Sequence, residues 1–319
     1  MSNRVSPARI QAASKSIDPV FRNTPLIWND ELDEQTGAKI LVKVETVNPI
    51  RCFKGRGCDL FVQGLSSDSQ SIIAASAGNF GQGLAYAARK AGRRLTVFVP
   101  ENSNPIKVSA MRRMGAEVYE TGRDMDEAKD AARTLANSNG ALFAEDGAHP
   151  AFTEGAGSIA LELTEAGYKP DVIIVPLGNG ALLTGVAAWM KSIAPTTKVL
   201  GAVAQGAPAM QLSFLRNEVV ETKHVSTIAD GIAVRVPVPF SLNAMRGIVD
   251  EVLLVSDELM LEAIRLAHQV LGLVVEPSGA AGLAAILGNK QRFQGQQIAT
   301  IFAGGNVSPQ QMRDWLCLE

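Results

Sequence analysis

Three glycine-rich stretches and one lysine supply the residue types from which chemistry can be built. In "DVIIVPLGNGALLTGVAAWM" a buried apolar strand runs into Gly178, Asn179, Gly180 and Ala181, and a helix is expected to begin at about Leu182. The first amides of a helix have no partner within it, and glycine lets a ligand come close, so this loop suits a phosphate group. Its spacing is neither GxGxxG nor GxxxxGK, which argues against dinucleotides and nucleoside triphosphates; a tight strand-to-helix turn with no ligand would read the same way. "SAGNFGQG", Ser76 to Gly83, offers backbone amides and the side-chain amide of Asn79, a set suited to a small carboxylate or an aromatic hydroxyl. "FAGGNVS", Phe302 to Ser308, closes the last apolar run. In "CFKGRG" Lys54 stands between Phe53 and the glycines Gly55 and Gly57, which strip away side chains that would shield it. The alternative is the first turn of a helix after "NPI", with the glycines set there for close packing.

Positioning these groups falls to alternating elements. Short β-branched runs alternate with longer helical patterns, the signature of parallel βαβ units. "SIIAAS", "RLTVFVP", "AEVYE" and "ALFAE" are expected strands, separated by helices over "GQGLAYAARKAG", "NPIKVSAMRRMG" and "DMDEAKDAARTLANSNG". They make a compact three-layer unit between about residues 67 and 148. "DVIIVPLG", "KVLGAVA", "EVLLVS" and "QIATIFAGG" repeat the alternation, while "ELMLEAIRLAHQV" and the small-residue run "GAAGLAAILG" read as helices packed on a sheet. The expected fold class is therefore α/β: two three-layer open-sheet lobes with a cleft between them, at the carboxyl ends of the strands. Residues 67–148 would form the smaller lobe, and 1–66 with 149–319 the larger.

Composition narrows the partners. The 319 residues are 46% hydrophobic and 19% charged, with a formal net charge of −2, which allows a large core and gives no electrostatic reason to expect nucleic acid or an anionic membrane. The nearest basic cluster, Arg89, Lys90, Arg93 and Arg94, falls where a helix should end and suits the carbonyl end of its dipole. Cys52, Cys58 and Cys317 have neither metal-ligand spacing nor the even count of a disulfide framework, and His149, His224 and His268 are isolated. The N-terminus "MSNRVSPARI" lacks the apolar stretch of a secretion signal, and no run approaches the roughly 18 apolar residues of a membrane span, so a cytoplasmic protein is expected.

Taken in order, the segments resemble the fold-type II pyridoxal-phosphate enzymes, and within them the threonine/serine dehydratase and serine racemase branch. "VKVETVNPIRCFKGRG", "SAGNFGQG", "VPLGNGALLTG", "TIADGIAV", "VEPSGAAGLAAIL" and "FAGGNV" carry the likeness over nearly the whole chain. The resemblance implies pyridoxal 5'-phosphate as cofactor, with Lys54 holding its aldehyde as a Schiff base and later removing the substrate's Cα proton. An amine must be unprotonated to attack, and a helix start, partial burial and the neighbouring Arg56 are expected to favour that form. By the same likeness Phe53 presses on the ring, Asn79 hydrogen-bonds its 3′-hydroxyl, and Gly178, Asn179, Gly180, Ala181 and Leu182 cradle its phosphate. Ser76, Ala77, Gly78 and Asn79 would hold the substrate carboxylate, with Phe80 beside them. The implied reaction converts a β-hydroxy L-amino acid such as L-threonine or L-serine to a 2-oxo acid and ammonia, the leaving hydroxyl being protonated by the phosphate or a nearby group. A bulkier or acidic substrate (phenylserine, 3-hydroxyaspartate), β-replacement by an added nucleophile, and a non-catalytic binding module stand as alternatives. A homodimer is implied; a C-terminal regulatory domain is not expected.

Departures from the family pattern bear on the chemistry. Ala303 stands where a hydroxyl or thiol usually meets the pyridine nitrogen, and Thr300 should face the other side of its strand. Gln205 and Gln211, with Ala209 between them, stand where the family's divalent-cation site has carboxylates, so no metal is expected. Ala77 replaces the hydroxyl that racemases of the family place opposite the lysine, and Phe80 replaces a histidine. Glu154 and Glu276 read equally as site residues or as structural anchors.

Overall fold

The computed structural model describes residues 5–66 and 71–316; Cys317 and residues 67–70, where the smaller lobe was expected to begin, lie outside them. Among the described residues ten strands form two sheets: β1 (Leu26–Ile27), β2 (Lys39–Val44), β3 (Ile72–Ala75), β4 (Leu95–Val99), β5 (Glu117–Glu120), β6 (Leu142–Ala144), β7 (Val172–Pro176), β8 (Lys198–Ala204), β9 (Glu251–Val255) and β10 (Gln297–Phe302). The six-stranded sheet runs β1-β2-β10-β7-β8-β9 and the four-stranded one β5-β4-β3-β6. Every pairing is parallel except β1 with β2.

Both sheets are covered on two faces, because successive side chains of a strand point to opposite sides. Along β10, Ile298 and Phe302 join Met260, Ala263 and Leu283 of the helices Asp257–Leu271 and Pro277–Leu287. Ala299, Ile301 and Ala303 join Ile159 and Leu183 of the helices Pro150–Glu165 and Ala181–Ile193 on the other face. In the smaller sheet Ile72 and Ala74 pack with Leu84 and Met111, while Ile73 packs with Ala128, Ala132 and Ala136. The helix Lys54–Gln63 contributes Cys58, Phe61 and Val62 to the first of those cores.

All eight expected strands are present. The strand "KILVKV" escaped the sequence reading because lysines break its apolar run, yet Lys43 is buried there by pairing with Glu162 at 2.6 Å. Two helices begin earlier than expected, at Asn79 and Ala181, which places Asn79 and Phe80 in a first helical turn. No helix among the described residues is long and apolar enough to cross a membrane.

Candidate active site

The carboxyl ends of β3, β6, β7 and β10 open on one cleft of about 570 Å³ between the sheets, a volume typical of a small-ligand site. It brings together Phe53, Lys54, Ser76, Ala77, Gly78, Asn79, Phe80, Gly178, Asn179, Gly180, Ala181, Leu182 and Ala303, and of the two candidate acids Glu276 but not Glu154.

Lys54 opens the helix Lys54–Gln63 and is tied to the end of β10, since Phe53 N donates to the Ala303 carbonyl at 3.0 Å. The glycines beside it serve close packing: a Cβ on Gly57 would lie 2.7 Å from Phe152 Cα, where the helix Pro150–Glu165 passes. The two readings of "CFKGRG" are thus compatible, for the packing is what fixes the lysine. Its Nζ lies 2.7 Å from both oxygens of Asp146, 4.8 Å from the Phe53 ring centre and 5.9 Å from that of Phe80.

Arg56 does not act on Lys54 as expected. It is wholly buried on the far side of its helix, where it donates to Glu45 (2.8 Å), Glu162 (2.6 Å), Ser158 (2.9 Å) and Thr24 (3.2 Å). Paired with two carboxylates, its charge is spent there, and Lys54 faces an acid instead of a second cation.

The glycine loop has the form of an anion cradle. Gly180 takes the left-handed conformation (φ 91°) that turns the chain from β7 into the helix Ala181–Ile193. That helix has no side-chain cap, so its leading amides are presented to the cleft. In the second loop, Ser76 Oγ accepts from Gly78 N (3.3 Å) and Gly81 N (3.0 Å), which bends the chain into its helix. Phe80 is buried, edge-on to Phe152 at 5.0 Å between ring centres, so the cleft floor is apolar there.

Asn79 is held from both sides: its Nδ2 donates to Glu276 Oε1 (2.5 Å) and its Oδ1 accepts from Asn306 Nδ2 (2.8 Å). Burial, reinforced by nearby Asp230, pushes the Glu276 carboxyl up to about 7 against the opposing pull of Lys107 and the hydrogen bonds from Asn79 and Asn306. Lys107, itself buried, crosses the cleft to Asp230 at 2.5 Å. Glu154 lies elsewhere, accepting from Ser6 N (3.2 Å) and Arg9 Nε (2.7 Å), and anchors the N-terminal helix.

Ala303 presents a methyl group to the cleft, and Thr300 faces away, donating to the Ile174 carbonyl at 2.9 Å. Gln205 is exposed, and Gln211 donates to the Val252 carbonyl at 2.9 Å. Burial raises the thiols of Cys52 and Cys58 well above the usual range, which disfavours the nucleophilic thiolate in both. His149 caps the helix Pro150–Glu165 through Ala151 N at 3.1 Å.

The sequence reading missed Asp146, Lys107 and Asp230. Asp146 carried a signal, since it directly follows the expected strand "ALFAE" at the end where sites gather, and Asp230 stands in "TIADGIAV", one of the segments of the family likeness; Lys107 carried none that separates it from surface charges.

The donor set fits pyridoxal phosphate: uncapped amides for an anion, a cleft lysine, an amide pair and an apolar wall. Comparison with known proteins agrees. An L-threonine ammonia-lyase of Thermotoga maritima is 34% identical over 300 residues, covering 93% of this chain and 75% of its own length. The solved structure of a threonine deaminase of T.th. superposes with a TM-score of 0.89 at 32% identity, covering 95% of this chain and 99% of that one. A maize serine racemase superposes with a TM-score of 0.92 at 26% identity, covering 98% and 97%. The family described as "Pyridoxal-phosphate dependent enzyme" matches residues 17–304, and with this cleft and these relatives the chain belongs to that family, as a fold-type II enzyme that uses pyridoxal phosphate.

Proposed function

We propose that the chain is an ammonia-lyase that converts a β-hydroxy L-amino acid, such as L-threonine or L-serine, to a 2-oxo acid and ammonia. The observation that carries this reading is the position of Lys54, whose amine enters the cleft between the uncapped helix Ala181–Ile193 and the loop Ser76–Phe80. In this reading the amides of Gly178 to Leu182 bind the phosphate, Phe53 and Ala303 flank the ring, and the amides of Ser76 to Asn79 receive the substrate carboxylate. Asn79, its rotamer fixed by Glu276 and Asn306, would point its amide at the ring hydroxyl. When bound, pyridoxal phosphate supplies the electron sink that makes a Cα proton removable. Lys54 takes that proton at Nζ, and the apolar wall that Phe80, backed by Phe152, gives the cleft limits water access.

Names of relatives support the substrate class: an L-threonine ammonia-lyase and a threonine deaminase are among them. The lobe division at residues 67–148, a cytoplasmic location and a homodimer belong to the same proposal. A screen of β-hydroxy amino acids tests it. Equimolar 2-oxo acid and ammonia without an added nucleophile is the expected result; product only when a nucleophile is supplied would favour β-replacement.

A further inference from the structure

Asp146 sits in the turn after β6, in none of the segments that carried the family likeness. Besides its contact with Lys54, its Oδ2 accepts from Asn179 Nδ2 at 3.3 Å, and the next carbonyl, that of Gly147, accepts from Ser241 Oγ at 2.8 Å. The carboxylate is therefore held between the lysine and the glycine loop. The other five acidic side chains lining the cleft are engaged elsewhere. Asp124 caps its helix through the amides of Asp126 and Glu127, and Asp126 pairs with Arg235. Glu145 pairs with Lys129 and Arg133, Asp230 with Lys107, and Glu276 accepts from Asn79. Among the described residues, Asp146 is the cleft acid paired with Lys54.

Elimination of a β-hydroxyl needs a proton donor, because hydroxide is a poor leaving group. The departing oxygen is two bonds from the Cα that Lys54 must reach, so a carboxyl in contact with Lys54 Nζ is within reach of it. We infer that Asp146 hands the proton to the departing hydroxyl and draws it from Lys54, an inference that rests on the ammonia-lyase reading. The Cα–H bond breaks and its proton passes to the Lys54 amine. The freed pair forms the Cα–Cβ double bond as the Cβ–O bond breaks with its electrons on oxygen. Lys54 gives its proton to the Asp146 carboxylate, and Asp146 gives it to the oxygen, so that water departs and both side chains end as they began. Hydrolysis then returns that water to release the 2-oxo acid and ammonia, with no oxidant required.

Leaving-group chemistry separates this role from a merely structural one. β-Chloro-L-alanine loses chloride without protonation, whereas L-serine and L-threonine cannot lose their hydroxyl that way. In the Asp146→Asn holoenzyme, kcat for the better hydroxy substrate is expected to fall by about 100-fold or more, and for β-chloro-L-alanine by less than about fivefold. Borohydride should still trap the cofactor on Lys54 of the variant, read by peptide mass. Equal losses on both substrates, no loss on either, or a missing adduct would each overturn the donor role and leave Asp146 as a bystander or a positioning residue for Lys54. A wild-type enzyme that turns over β-chloro-L-alanine but no hydroxy amino acid would overturn the ammonia-lyase reading itself, and with it the need for a donor.

Discussion

Asn79 and Glu276 meet across the cleft at 2.5 Å, which joins the first turn of a helix on the smaller sheet to the residue that precedes the helix Pro277–Leu287 on the larger. Glu276 is buried, and its carboxyl is raised to about 7. Between its ordinary value of about 4.5 and that point, the folded protein holds a proton that the unfolded chain has lost. This group's contribution to stability is therefore full below about pH 4.5 and is lost as pH rises through about 7. The Tm of cofactor-free protein should decline over that window, and Glu276→Gln should flatten the decline. Parallel Tm curves for the two proteins would show that the carboxyl is not so raised.

Arg56 is expected to matter for folding and not for proton transfer. Arg56→Leu strands the buried Glu45 and Glu162, a change that costs about 3–5 kcal/mol when one partner of a buried ion pair is removed. Urea unfolding measures it; a loss below about 1 kcal/mol would mean that the network is solvated in solution. Glu162 adds an acid limb. Although burial works to raise it, the hydrogen bond and charge of Arg56 and the charge of Lys43 hold it at about 2. Its contribution is present above the ordinary value and is lost as pH falls toward 2.

Deamination without racemisation is expected from Ala77. Racemisation needs a proton donor on the face opposite Lys54, and the second position of the substrate loop offers a methyl group. The neighbouring Ser76 Oγ accepts from the amides of Gly78 and Gly81, which ties it to the start of its own helix. Residual L-serine recovered from deuterium oxide and resolved by chiral chromatography should contain no D-serine. D-serine accumulating as fast as pyruvate would refute the assignment, and a trace gained by Ala77→Ser would support it.

Divalent cations should leave the protein indifferent. With Gln211 donating to a carbonyl and Gln205 exposed, the segment after β8 presents neutral amides where a cation would need carboxylates. Activity and Tm are expected to be unchanged by EDTA and by added Mg²⁺. A Tm that climbs at sub-millimolar Mg²⁺ would contradict this, because only a ligand of the folded state raises it.

Much of the architecture was legible in the sequence because strands buried on both faces read as continuous apolar runs, as "DVIIVP" and "QIATIF" do. Lys54 and the loop from Gly178 to Leu182 were legible for a second reason: glycine spacing at strand ends has few uses. Tertiary charge pairing was not. Arg56 looked like a neighbour of Lys54, yet the helical turn from residue 54 to residue 56 directs it to the opposite side, into Glu45 and Glu162. Asp146 lies 92 residues from Lys54 in the chain, and no local pattern announces a contact made by bringing the turn after β6 to the start of the lysine helix. Glu154 and Glu276 were indistinguishable as letters, and only their partners separate an anchor from a cleft acid.

The central claim is that Lys54 is the amine through which this cleft holds its cofactor. Borohydride reduction of the yellow holoprotein, followed by proteolysis and mass spectrometry, tests it most directly. The expected result is one pyridoxyl-modified peptide containing Lys54, absent from Lys54→Ala, which keeps its fold but releases no 2-oxo acid. An adduct on any other lysine, or a Lys54→Ala protein that deaminates at the wild-type rate, would contradict the account.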